Sequence, residues 1–363
     1  MVDGALKVYK LKKYIFFNFP KKFSIRDYDI ARDEFVNSLK GLNAIKSIVE
    51  FGTVTSPGVS DLDFMLIVDD VQKIPKTRIK KITSVGNVKK FVKDGTILTL
   101  TSHIFKNIRY IDKFGHFRFL LGKKIENKIP NDIYQQGLDL VSLIDWLPER
   151  LLRLNLLLKA PRIDVVNALC LLHSTKYSLI NICNKFKLKK NKYNYFSSNV
   201  ENLRNNWNEL PDAQLRLLNT LQLGIQLLMD AINKLSEVYF HDEISILKKN
   251  IKLPSIKLIP FHKSIKLRFQ RSFNNKKNRG ILFPKVLSYH FWFLASLDCK
   301  LSNLISKRIG ISFNERFKDI RNIDTPYFIA LRKKMDLLNV NYNTLLKSKT
   351  SVGMVRYGNY VNL

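Results

Sequence analysis

The chain has 363 residues, of which 62 are Lys or Arg and 30 are Asp or Glu, for a formal net charge of +32. That length supports a large core and two or three subdomains, while 45% hydrophobic residues is too high for a disordered polycation. Three unevenly spaced cysteines, Cys170, Cys183 and Cys299, with no Cys-x-x-Cys pair, indicate neither a disulfide framework nor a zinc site.

Residues 1–24 read as an irregular or strand-forming lead-in without a signal peptide's continuous apolar core. A helix is expected from Arg26 to about Leu39, then a strand over Ala44–Phe51, a turn, and a strand over Asp61–Val68. In that second strand Leu62, Phe64, Leu66 and Val68 alternate with Asp61, Asp63, Met65 and Ile67, and both faces become apolar further in, as in a central strand. A basic helix near Lys76–Lys81, a strand over Thr96–Phe105 and a hairpin of Arg109–Ile111 with His116–Leu121 complete a small mixed sheet. From Asn131 the apolar period becomes helical, with a break or kink expected at Pro148 and further helices over Leu151–Leu158, Asp164–Cys183 and Asp212–Val238. Lys185–Asn199, rich in Lys, Asn and Tyr, reads as a loop or boundary, and Val286–Ile305 as a buried helix. The fold class is therefore α+β: a small mixed-sheet head over residues 1–127, a helical domain over 128–250, and a basic helical C-terminal region over 251–363.

The chemistry concentrates in residues 51–70, FGTVTSPGVSDLDFMLIVDD. Asp61 and Asp63 are two apart, so they share one face of the strand at its mouth. Two adjacent carboxylates repel unless a cation sits between them. An all-oxygen set suits Mg²⁺, which takes one or two carboxylates and completes its shell with water and phosphate oxygens. A glycine turn before them lets backbone amides approach a phosphate.

Strand, Gly52-Thr53, spacer, Ser60-Asp61-Leu62-Asp63 and second strand together resemble the active-site motif of the DNA-polymerase-β-like nucleotidyltransferase superfamily. The resemblance implies a nucleotidyltransferase head in which Asp61 and Asp63 hold Mg²⁺ and are catalytic. Gly52 and Thr53 would bind the phosphates of a nucleoside triphosphate, and Ser60 would support the carboxylate turn. It also implies transfer of a nucleoside monophosphate to an acceptor hydroxyl, with a helical part closing the cleft. The family's third carboxylate sits on a later neighbouring strand, but here Thr96–Phe105 offers Thr99, Thr101 and His103 on its polar face. Asp94 precedes that strand and Asp112 follows it. Phe119-Leu120-Leu121-Gly122-Lys123 resembles a hydrophobic-Gly element that follows the third-carboxylate strand in these enzymes. There is no Walker loop, Gly-x-Ser-x-Gly elbow or kinase signature set to support a rival enzyme class.

Charge points to a second class of function. Ile251–Leu363 holds 22 Lys/Arg against 5 Asp/Glu, a surplus of +17. Lys263, Lys266, Arg268, Arg271, Lys276, Lys277 and Arg279 fall among aromatic residues with no acid between them. Basic groups interleaved with aromatic rings suit nucleic acid or another polyanion; a buried aromatic core with a solvated lysine rim is the plain alternative. The alternative to the enzyme is thus a catalytically degenerate nucleotidyltransferase-fold protein that binds nucleic acid. No run of about 18 uncharged apolar residues occurs, and the expected location is cytoplasmic.

Overall fold

The computed structural model describes residues 13–69, 76–92, 97–112, 115–185, 187, 191–238, 256–260, 280–284 and 325–347. It is an α+β protein in which a mixed sheet in the N-terminal half is followed by helices. Contacts divide the chain into two compact units, residues 22–142 with 293–363, and residues 1–21 with 143–292.

In the first unit, helix α1 (Ile25–Leu39) begins at a capping box, with Ser24 Oγ accepting from the Asp27 amide and the Asp27 carboxylate accepting from the Ser24 amide at 2.7 Å. Its buried stripe is Tyr28, Ala31, Arg32, Phe35 and Leu39, the spacing of one helix face. Strands β2 (Ile45–Phe51) and β3 (Asp63–Val68) pair antiparallel, and β4 (Ile97–Thr101) joins β3 in parallel. Strand β5 (Phe117–Gly122) adds to the other edge of β2, giving the order β4-β3-β2-β5.

Alternation sorts the side chains into two layers. Ile48, Leu62, Phe64, Leu66 and Val68 pack with α1 and with Val88, Phe91 and Val92, the segment formed by α3 (Val88–Phe91) and the residue after it. Helix α2 (Lys76–Thr83) precedes α3, and its Ile79 and Ile82 pack against the same cluster. Phe35 and Phe64 stack at 4.2 Å between ring centres. On the other face Phe105, from helix α4 (Ser102–Lys106), meets Phe117 and Phe119 of β5 edge-on. The α1 layer covers one face of β3, and Met65 and Ile67 on the other face are buried too, so the strand is apolar on both sides away from its mouth.

Two expectations for this unit are corrected. The strand expected over Thr96–Phe105 ends at Thr101, whose hydroxyl accepts from the Ile104 amide and caps α4, so His103 is an exposed helical residue. The expected hairpin does not form. Ile108–Tyr110 is a single 3-10 turn that buries Ile108, and β5 pairs with β2 instead. Gly122 ends β5 at φ +83°, and a Cβ there would stand 1.9 Å from the Lys46 carbonyl oxygen, so only glycine lets the two backbones cross.

Helix α5 (Asp132–Lys159) runs through Pro148, where a break or kink was expected. The apolar positions Leu138, Val141 and Leu147 before it, and Leu151 and Leu154 after it, are all buried, which outweighs the one hydrogen bond that proline removes. Tyr134 on this helix donates to the Tyr110 carbonyl at 2.8 Å and lies 3.0 Å from the Ala330 carbonyl of the final helix, α9 (Pro326–Lys347).

In the second unit, the lead-in strand β1 (Ile15–Phe17) pairs in parallel with β6 (Arg162–Asp164). Helices α6 (Val165–Lys185), α7 (Asn191–Asn205) and α8 (Ala213–Val238) pack on one another. Helix α7 corrects the loop expected over Lys185–Asn199. Tyr193, Phe196, Val200 and Leu203 recur at three- and four-residue spacing and are buried, a stripe hidden in the sequence by Lys and Asn between them. Strands β7 (Ile256–Pro260) and β8 (Gly280–Pro284) pair antiparallel, so the region expected as basic and helical contains a strand pair as well as α9. Val286–Ile305 lies outside the described residues.

Candidate active site

The candidate site is built on the turn that joins β2 to β3. Phe51 closes β2 opposite Asp63, the first residue of β3. Gly52 follows at φ +84°, a conformation open to glycine and strained for other residues. A Cβ placed on Gly52 would lie 3.9 Å from Asp63 Oδ2, so the glycine backbone and the carboxylate share one small space. Thr53 comes next and is exposed. The turn thus brings together the phosphate-side and metal-side residues expected from the sequence, Gly52 and Asp63.

The spacer is tightly folded. The Ser56 carbonyl accepts from the Val59 amide at 3.1 Å and the Ser60 amide at 2.9 Å, while the Ser56 amide donates to Ser60 Oγ at 3.1 Å. Ser56 and Val59 are buried at 1% exposure, which anchors the loop from inside. Ser60 therefore closes the turn that leads into Asp61. Leu62 is buried in the α1 layer beside Phe64, and its amide donates to the Phe91 carbonyl at 2.9 Å. With Phe64 facing inward, alternation along β3 directs Asp63 to the opposite face. The strand begins at Asp63 rather than at the expected Asp61, so Asp61 belongs to the turn that enters it. Both aspartates are half-buried, so ligands can reach them.

Next to the turn lies a buried ion pair that the sequence did not announce. Arg32 of α1 donates from Nε to Glu50 Oε2 and from Nη2 to Glu50 Oε1, both at 2.8 Å, and also pairs with Asp29. Burial alone would lower the Arg32 pKa, but the Glu50 bonds and charge, with Asp29, raise it, so the guanidinium stays charged. Glu50 lies opposite Phe64 on β2, two residues before Gly52, and this pair ties the end of β2 to α1. The sequence signal for it was an acid, Glu50, set between the apolar residues Val49 and Phe51 near the end of β2.

Register decides the question of a third acid on β4. Leu66 pairs with Thr99 and Val68 with Thr101, which puts the polar face of β4 in the α1 layer, away from Asp63. Thr101 stands level with Val68, five residues and roughly 16 Å along the strand from Asp63 at ~3.3 Å per residue. Neither Thr99 nor Thr101 therefore takes the third position, and His103 is not on the strand. Asp112 is buried behind the 3-10 turn, where Ser142 Oγ lies 3.4 Å from its Oδ1. Among the described residues no three His, Cys, Asp or Glu side chains gather as a metal site. Asp94 lies outside the described residues, as do Lys263, Lys266, Arg268, Arg271, Lys276, Lys277 and Arg279. Among the described residues no helix is long and apolar enough to cross a membrane. No protein-family model matches this sequence, and comparisons with curated proteins and with solved structures found no match.

Proposed function

We propose that this protein is a nucleotidyltransferase of the DNA-polymerase-β-like kind, which binds a Mg²⁺–nucleoside triphosphate at Gly52, Thr53, Asp61 and Asp63. The observation that carries this reading is the apposition of the positive-φ Gly52 and the Asp63 carboxylate across one strand-turn-strand unit backed by α1. Two half-buried carboxylates are hard oxygen donors that suit Mg²⁺, with water and phosphate oxygens filling the remaining positions. Asp61 and Asp63 would hold the ion, and the Gly52 amide with the Thr53 hydroxyl would hold the outgoing phosphates. Bound Mg²⁺ supplies charge neutralisation at the α-phosphate. The acceptor hydroxyl oxygen forms a bond to the α-phosphorus, the bond to the β-phosphate oxygen breaks, and pyrophosphate leaves. The hydroxyl proton goes to a base.

The test is Mg²⁺-dependent nucleotide affinity in Asp61→Asn and Asp63→Asn. Each substitution is expected to lower affinity at least a hundredfold while leaving the melting temperature level or higher, because one of two like charges is gone. Binding of Mg²⁺-nucleotide by both variants at the level of the parent would defeat the assignment.

The base is the open position, and Asp94 is the residue to change. Phe91, three residues before it, is bonded to Leu62, and Ile97, three residues after it, is paired with Phe64. Asp94→Asn is expected to keep nucleotide binding and lose transfer to RNA, protein or small hydroxylated acceptors. Transfer at the parental rate by Asp94→Asn removes it from the reaction. The absence of a third acid among the described residues favours one other reading, a degenerate head that binds nucleotide or nucleic acid without turnover. Under that reading the parent itself binds and never transfers.

A further inference from the structure

We propose that Tyr28 is a positioning residue that sets the place of Asp61 by clamping the chain on both sides of it. The inference rests on the nucleotide site proposed above. Tyr28 is buried at 1% exposure on the inner face of α1. Its hydroxyl accepts from the Gly58 amide at 2.9 Å and donates to the Ser60 carbonyl at 2.8 Å. Those partners lie in the spacer, 30 and 32 residues away in the chain, so the bonds fasten the loop to a rigid helix rather than to itself. The Tyr28 ring stacks obliquely on Phe91 at 4.2 Å between centres, and the Phe91 carbonyl accepts from the Leu62 amide. One side chain thus governs Ser60 through its hydroxyl and Leu62 through its ring. Asp61 is the residue between them.

The physical need for such a clamp follows from the loop itself. Residues 52–62 are outside any strand or helix, so without external bonds their backbone would sample many conformations. A carboxylate displaced by about an ångström binds a small hard cation poorly, since Mg²⁺ demands near-octahedral geometry. The internal Ser56–Ser60 bonds shape the spacer, but they do not orient it against the sheet. Tyr28 does, and the α1 capping box at Ser24 and Asp27 fixes the first turn of the helix that carries it.

The variant is Tyr28→Phe, which keeps the ring against Phe91 and removes only the hydroxyl. Backbone hydrogen exchange on the full-length protein tests the clamp without nucleotide. Amides of Gly58, Val59, Ser60 and Asp61 are expected to exchange at least tenfold faster, with those of Ile48, Val49 and Leu66 unchanged. The second readout is affinity for the four ribonucleoside triphosphates with Mg²⁺, where roughly a tenfold loss is expected from two lost hydrogen bonds. A control, Leu39→Ala at the far end of α1, lowers stability without touching the turn and is expected to leave affinity within twofold.

Unchanged exchange at 58–61 in Tyr28→Phe overturns the clamp. Faster exchange with parental affinity, or an equal affinity loss in Leu39→Ala, overturns the positioning role and leaves Tyr28 as ordinary structure. If the parent binds none of the four triphosphates, the nucleotide reading fails and the positioning role with it. The exchange rates then still decide whether Tyr28 holds the turn.

Discussion

Both compact units bury charge, and they use it differently. In the sheet unit Arg32 meets two acids, Glu50 and Asp29, with Arg118 Nη1 a further 3.9 Å from Glu50. The Arg32–Glu50 pair is bidentate, buried and opposite in charge, and it joins a helix to a central strand. In the helical unit Glu201 of α7 pairs with Lys176 of α6, and Arg204 and His173 stand close by. There the positive groups outnumber the acid. His173 absorbs the imbalance by staying neutral: burial first, then the charges of Arg204 and Lys176, push its pKa down to about 4. Glu201, 3.5 Å from its Nδ1, pulls the other way through its charge and a hydrogen bond but does not offset them. The matched pair braces the sheet unit, whereas the buried neutral histidine makes the helical unit sensitive to acid.

The largest effect should come from breaking the matched pair. Arg32→Ala leaves Glu50 charged and buried, and should cost about 3 to 5 kcal/mol. The double change Arg32→Met with Glu50→Leu should recover most of that loss, since no charge is left inside. Denaturant unfolding of both variants measures it, and equal losses in the two would mean packing, not charge, is what the pair supplies.

Next in size is the acid response of the helical unit. The folded His173 pKa lies below the unfolded value of about 6.5, so the unfolded chain takes up the proton first as pH falls. Stability is whole above pH ~6.5 and should decline by on the order of 3 kcal/mol as pH drops through the window to about 4. Glu201 adds to the same direction at lower pH. Burial would raise its pKa, but the Lys176 hydrogen bond and charge outweigh that and hold it below the usual carboxylate range. Unfolding midpoints between pH 7.5 and 4 should show the slope, and His173→Phe, which keeps a ring beside Tyr177, should flatten it. An unchanged slope in that variant would move the acid sensitivity elsewhere.

The smallest effect is at the rim of the matched pair. Arg118 is 65% exposed and 3.9 Å from Glu50, so Arg118→Ala should cost no more than about 0.5 kcal/mol. A loss of several kcal/mol would show that Arg32 does not neutralise Glu50 alone, and the contrast between the two units would weaken.

Local pattern made much of this legible in the sequence. The stripe of α1, the alternation of β3 and the apolar spacing of α8 are properties of neighbouring residues, and each element formed within a residue or two of its expected place. The Gly52 turn was legible for the same reason, because a positive φ calls for glycine whatever surrounds it. Helix α7 was hidden because Lys and Asn dominated its composition, and only packing against α6 and α8 gives Tyr193, Phe196, Val200 and Leu203 a common face.

What the sequence determined by itself is therefore α1, the strands β2 and β3, and the two aspartates at the mouth of an apolar strand. Only the tertiary structure decided which strand pairs with which and in what register. Those choices depend on hydrogen bonds and side-chain contacts between residues far apart in the chain, which no local window contains. The pairing of Leu66 with Thr99 turned the polar face of β4 away from Asp63, and the pairing of β5 with β2 removed the expected hairpin. The same long-range contacts carried the Tyr28 hydroxyl to Gly58 and Ser60, and Arg32 to Glu50, where an aromatic and an ion pair brace the turn that holds Asp61.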